Sequence, residues 1–96
     1  MTIYELLDEK RDAIKSVAAK YGAHNVRVFG SVARREAGPG SDVDLLVSFD
    51  KGVSLFTHAA LMLELQELLE CKVDVVSDRG LRPRVKARVL SEAVPI

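Results

Sequence analysis

Asp42-Val43-Asp44-Leu45-Leu46-Val47-Ser48-Phe49 is the stretch that decides how this chain folds. Successive residues of a strand point to opposite faces. Val43, Leu45, Val47 and Phe49 therefore form one apolar face, and Asp42, Asp44, Leu46 and Ser48 the other. A central parallel strand is usually apolar on both faces. The polar face thus argues for a sheet covered by helices mainly on one side, and against a doubly wound fold. It also places two carboxylates side by side. Like charges held this way repel, and burying them unpaired is costly. A divalent cation is the usual remedy.

Working outward, Gly38-Pro39-Gly40 reads as a loop before this strand, and Asp50-Lys51-Gly52 as a turn after it. Upstream, residues 2–21 carry Ile3, Leu6, Leu7, Ile14, Val17, Ala18 and Tyr21 at helical spacing. Thr2 and Glu5 fit a capping box. A short strand follows at about 25–29. Gly30 breaks it, and Ser31 is placed to cap a short helix reaching about Ala37. Downstream, Ser54 caps a second long helix to about Glu70, whose many leucines imply deep burial or a partner surface. A third strand covers 73–76, and a last helix, 81–93, opens at Pro83. The order is helix, strand, helix, strand, helix, strand, helix. It predicts an α/β (α+β) fold with a small mixed sheet.

Ninety-six residues suit one small domain, 1–96. Formal net charge is zero, so no overall field steers the chain toward nucleic acid or an acidic membrane. Cys71 is the single cysteine, which excludes an internal disulfide or a cysteine-based zinc cluster. There is no signal-peptide pattern and no apolar run near the ~20 residues of a membrane span. The expectation is a cytoplasmic protein.

Asp74 supplies the third carboxylate. With Val73 and Val75 turned to the core, it shares the open face with Asp42 and Asp44. Hard oxygen donors of this kind suit Mg²⁺, and paired metal sites serve phosphoryl and nucleotidyl transfer. Gly30 lets backbone approach a phosphate, the next helix start offers free N–H donors, and Ser31 adds a hydroxyl. Arg34 either meets phosphate or pairs with Glu36 or Glu70.

The runs Val28-Phe29-Gly30-Ser31-Val32-Ala33-Arg34, Ser41-Asp42-Val43-Asp44-Leu45-Leu46-Val47 and Val73-Asp74-Val75-Val76 closely resemble the minimal nucleotidyltransferases of the DNA polymerase β-like superfamily. The resemblance spans essentially the whole chain. It implies that Asp42 and Asp44 bind two Mg²⁺ ions, that Asp74 completes the site, and that Gly30 and Ser31 hold the phosphates of ATP. It further implies AMP transfer to a hydroxyl of a protein partner, a HEPN-domain toxin, with this chain as antitoxin. Arg35 stands where that family often has glycine.

Other readings are a binding module acting by occlusion, transfer to a small molecule such as an aminoglycoside, and a two-metal nuclease, which has no need of Gly30-Ser31. His24 and His58 lack zinc-ligand spacing. No Walker-type phosphate loop is present. Arg79, Arg82, Arg84, Lys86 and Arg88 form a basic cluster without the interleaved aromatics of a nucleic-acid surface.

Overall fold

The computed structural model describes residues 2–38 and 40–96; the loop expected around Pro39 falls partly outside them. In chain order the elements are α1 (Ile3–Glu9), α2 (Arg11–Lys20), β1 (Ala23–Phe29), α3 (Gly30–Ala33), β2 (Val43–Phe49), α4 (Leu55–Leu69), β3 (Val73–Ser77), a 3₁₀ turn (Asp78–Gly80), α5 (Pro83–Glu92) and β4 (Val94–Pro95). The strands lie in the order β3-β2-β1-β4. β1 is antiparallel to β2 and β4, and β3 is parallel to β2. The sheet is mixed, as the sequence predicted.

The first helix forms for the expected reason. Thr2 Oγ1 accepts from the Glu5 amide at 3.2 Å, and Glu5 Oε1 accepts from the Thr2 amide at 3.0 Å. The single helix expected over 2–21 is divided at Lys10. The ladder still crosses the division, with Lys10 N–H on Leu6 O at 2.9 Å and Ile14 N–H on Lys10 O at 2.8 Å. No glycine or proline marks this bend, so local propensity does not announce it. β4 was not expected. Two residues including a proline carry no strand signal, and only pairing with Arg27 and Val28 makes them one.

The main core lies on one face of the sheet. Leu7, Ile14, Ala18, Leu61, Leu65 and Leu69 from α1, α2 and α4 pack on Val26, Val28, Val43, Leu45, Val47, Val73 and Val75. Along α4, Leu61, Leu65 and Leu69 point inward, while Leu55, Phe56 and Leu63 stay exposed. Deep burial therefore accounts for the inward leucines of the helix, and its other face carries exposed apolar side chains.

The second face is only partly open. Leu46 is fully buried yet lies outside the main cluster, as does Val89 of α5. Asp78, in the turn before α5, accepts from Ser48 Oγ at 2.6 Å and lies 3.5 Å from Arg27 Nη2. These contacts bring the C-terminal segment over the Leu46–Ser48 half of that face. What remains accessible is the end that carries Asp44 and Asp74. Among the described residues no helix is long and apolar enough to cross a membrane.

Candidate active site

β1 ends at Phe29, which pairs with Asp44 of β2. The next residue, Gly30, takes φ +72°. That region is closed to most residues bearing a Cβ. It turns the chain straight from β1 into α3. The Asp44 side chain lies across the space beside Gly30: a Cβ built there would sit 3.3 Å from Asp44 Cγ and 3.5 Å from its Cβ, and nearer still to Oδ2. The glycine is thus required twice, for its backbone angle and for the carboxylate packed against it.

Asp44 pairs with Asp74 across the parallel β2–β3 ladder. Paired residues of neighbouring strands share a face, so both carboxylates belong to the open end of the sheet. Asp42 stands just before β2 and is exposed, its carboxylate 3.8 Å from Lys72 Nζ. So loose and exposed an ion pair contributes little. Burial pushes the Asp44 carboxyl above its ordinary pKa; Asp74 and then Asp42 push it further, against the opposing pull of Arg34. Asp44 therefore sits in a field made negative by its neighbours, one that a cation would relieve.

Among the described residues, no three His, Cys, Asp or Glu side chains converge closely enough to cage a metal. Magnesium does not need such a cage. It keeps several waters and is commonly held by one or two carboxylates together with substrate phosphates. The hard-oxygen donors here fit that mode, with Asp44 and Asp74 as the aligned pair and Asp42 beside them.

α3 is shorter than expected, ending at Ala33 rather than near Ala37, and Phe29 rather than Ser31 occupies the capping position. The reason is backbone geometry. Gly30 enters helical pairing at once, and Arg35 leaves it with φ +61°. Ser31 therefore lies within the first turn. A four-residue helix has little macrodipole, but its first amides still lack intrahelical acceptors.

Arg34 is held by carboxylates. Its Nε lies 3.1 Å from Glu36 Oε2, and its Nη1 bonds Glu92 Oε1. These bonds, Glu92 foremost, raise its already high pKa. Glu36 was an expected partner; Glu92, from α5, replaces Glu70. Arg35 adopts the left-handed backbone that suits the glycine often found there in the resembling family. Its guanidinium stacks 4.6 Å above the Tyr4 ring. Tyr4 also accepts the Ala37 amide on its hydroxyl at 3.1 Å, which ties α1 to the loop leading toward Asp42. Tyr4→Phe removes that acceptor. We expect a loss of about 1 kcal/mol by thermal or urea unfolding.

Two residues around the site escaped the sequence reading. Glu92 is separated from Arg34 by 58 positions, and nothing local links them. Asp78 was legible: strand alternation continued from Asp74 puts it on the same face.

A family model described as Nucleotidyltransferase domain matches residues 10–96. The chain belongs to the nucleotidyltransferase family. This nucleotidyltransferase is 38% identical over 90 residues to "Putative protein adenylyltransferase MJ0435" of Methanocaldococcus jannaschii, covering 94% of this chain and 97% of that protein. It is 38% identical over 80 residues to "Protein adenylyltransferase MntA" of Thermococcus cleftensis, covering 83% and 81% of the two chains. A solved structure described as "Structure of putative minimal nucleotidyltransferase" superimposes with a TM-score of 0.89 at 52% identity, covering 100% of this chain and 97% of that one. A second, described as "Crystal structure of the toxin-antitoxin with AMP-PNP", gives 0.69 at 19% identity, covering 99% and 72%, and shares the fold. This nucleotidyltransferase is an enzyme that takes a nucleotide as substrate.

Proposed function

We propose that this nucleotidyltransferase transfers AMP from ATP to a hydroxyl of a protein partner, with Mg²⁺ held at Asp42, Asp44 and Asp74. The observation that carries the reading is the Asp44 carboxylate lying across Gly30 in register with Asp74. It sets two carboxylates directly beside the turn where phosphates would approach the backbone. Gly30 and Ser31 would receive the triphosphate through backbone amides and the Ser31 hydroxyl. Arg34, held near Asp44 by Glu36 and Glu92, adds a fixed positive charge at the edge. Bound magnesium supplies Lewis-acid polarisation and charge neutralisation at the phosphates.

In the reaction the acceptor oxygen forms a bond to the α-phosphorus. The bond from that phosphorus to the oxygen bridging to the β-phosphate breaks, and pyrophosphate leaves. The acceptor proton passes to a carboxylate oxygen of Asp74, which is exposed on the open end of the sheet. A protein acceptor is supported by the activity named for the two relatives. A HEPN-type toxin as that acceptor, with this chain acting in the cytoplasm as its antitoxin, follows the family resemblance and the toxin–antitoxin structure of the same fold. One domain, 1–96, would carry the whole activity.

The test is to incubate the chain with the product of its neighbouring gene, Mg²⁺ and each labelled triphosphate in turn, followed by mass spectrometry. An adenylate adduct on the neighbour, formed from ATP alone, is the expected result. A label that reaches an aminoglycoside and never protein assigns the small-molecule reaction instead. Neutralisation without any adduct assigns occlusion.

A further inference from the structure

From Arg79 to Ser91 the chain carries five basic residues and no acidic one. Arg79, Arg82, Arg84, Lys86 and Arg88 are all exposed. Among the described residues none of the five takes part in an ion pair. The acids at either end are already engaged, Asp78 with Ser48 and Arg27, and Glu92 with Arg34. Arg82 with Lys86, and Arg84 with Arg88, are like charges four residues apart, an arrangement that weakens a helix. α5 therefore holds a concentrated positive surface at some cost to itself. The last turn of α5 reaches the candidate site, because Glu92 joins it to Arg34, whose charge is felt by Asp44, and the basic residues lead up to that turn.

We infer that α5 and the turn before it form the docking surface for an acidic face of the protein that receives the nucleotide. The inference rests on the reading that the acceptor is a protein. Charge complementarity names the occupant. The chain is neutral overall, so outside this stretch its charge is net negative. A polyanion long enough to run beyond α5, such as RNA, meets that negative remainder and the site carboxylates. The stretch also has no aromatic side chain on which a base could stack. A folded partner with a local acidic patch meets only α5, and its hydroxyl is then presented toward the open end of the sheet.

The test uses the full chain and a fluorescent random copolymer of glutamate and tyrosine, kept short enough to stay on α5, as an acidic, hydroxyl-bearing polypeptide. Binding is read by anisotropy across a salt series, in competition with bulk transfer RNA. The charge-reversed pair Arg84→Glu and Arg88→Glu should weaken copolymer binding by about tenfold at low salt and flatten its salt dependence. Lys15→Glu with Lys51→Glu makes the same change in net charge at exposed positions away from α5 and should leave binding as in the parent. MgATP titrations on the same samples should be alike in all three. If the first pair lowers the melting temperature, Arg84→Gln with Arg88→Gln provides the same comparison more mildly. The inference is overturned if the parent does not bind the copolymer, if both pairs behave alike, or if transfer RNA displaces the copolymer at physiological salt. Failure of the underlying reading looks different: with ATP and Mg²⁺ the parent would then label a small molecule such as an aminoglycoside and never a protein, whatever the copolymer binding.

Discussion

Asp44→Asn is expected to abolish nucleotidyl transfer while making the ligand-free protein more stable. The two effects share one cause. Burial, Asp74 and Asp42 all oppose ionisation of Asp44, with Arg34 alone working the other way, and its pKa in the fold lies above the ordinary 3.8. A carboxyl whose folded pKa is raised contributes most below its unfolded pKa, and that contribution is lost as pH rises through the folded value. At neutral pH the native protein therefore holds an unfavourable charge that asparagine lacks. Melting temperatures measured without metal should be higher for Asp44→Asn at pH 7, and the gap should close as pH falls toward 4. Adding MgATP should raise the parent's melting temperature by mass action and leave the variant's unchanged. Transfer should fall by at least about 10³-fold, some 4 kcal/mol of transition-state stabilisation, the scale expected when a metal-holding group is removed. A variant that is less stable than the parent at every pH would show that Asp44 is a structural residue.

Gly30→Ala carries the second large effect, and here stability and activity fall together. An alanine at φ +72° is strained and its Cβ presses on the Asp44 carboxylate. The backbone strain alone costs about 1–3 kcal/mol. Relief of the contact requires Asp44 to move, and displacement of a reacting group by about 1 Å typically costs on the order of 10²-fold in rate. Gly38→Ala is the matched control, because a Cβ there meets nothing within 4 Å. It should stay within about 0.5 kcal/mol of the parent and keep full transfer activity. Equal behaviour of the two alanine variants would remove Gly30 from the site.

Much of this architecture was legible because strand alternation is a rigid rule. Val43, Leu45 and Val47 on one face oblige Asp44 to the other, and Val73 and Val75 do the same for Asp74. The Gly30 break and the Ser54 and Pro83 helix starts were equally local signals. The features that escaped were set by distance in sequence or by tertiary pairing. Glu92 meets Arg34 only because α5 returns beside α3. Val94-Pro95 becomes a strand only because β1 offers an edge. Leu46, assigned to the open face, is buried because the chain after Asp78 folds over it, and one strand's pattern cannot report what covers it. The bend at Lys10 lacks even a compositional mark. Arg35 likewise gave no local signal: it takes a left-handed backbone, and its guanidinium stacks on Tyr4.

The most direct test of the central claim is a crystal structure of the chain with Mg²⁺ and a non-hydrolysable ATP analogue. Metal density bound by Asp44 and Asp74, with triphosphate oxygens against the Gly30 and Ser31 amides, is the expected result. Nucleotide bound away from that turn, or metal density remote from both carboxylates, would contradict it.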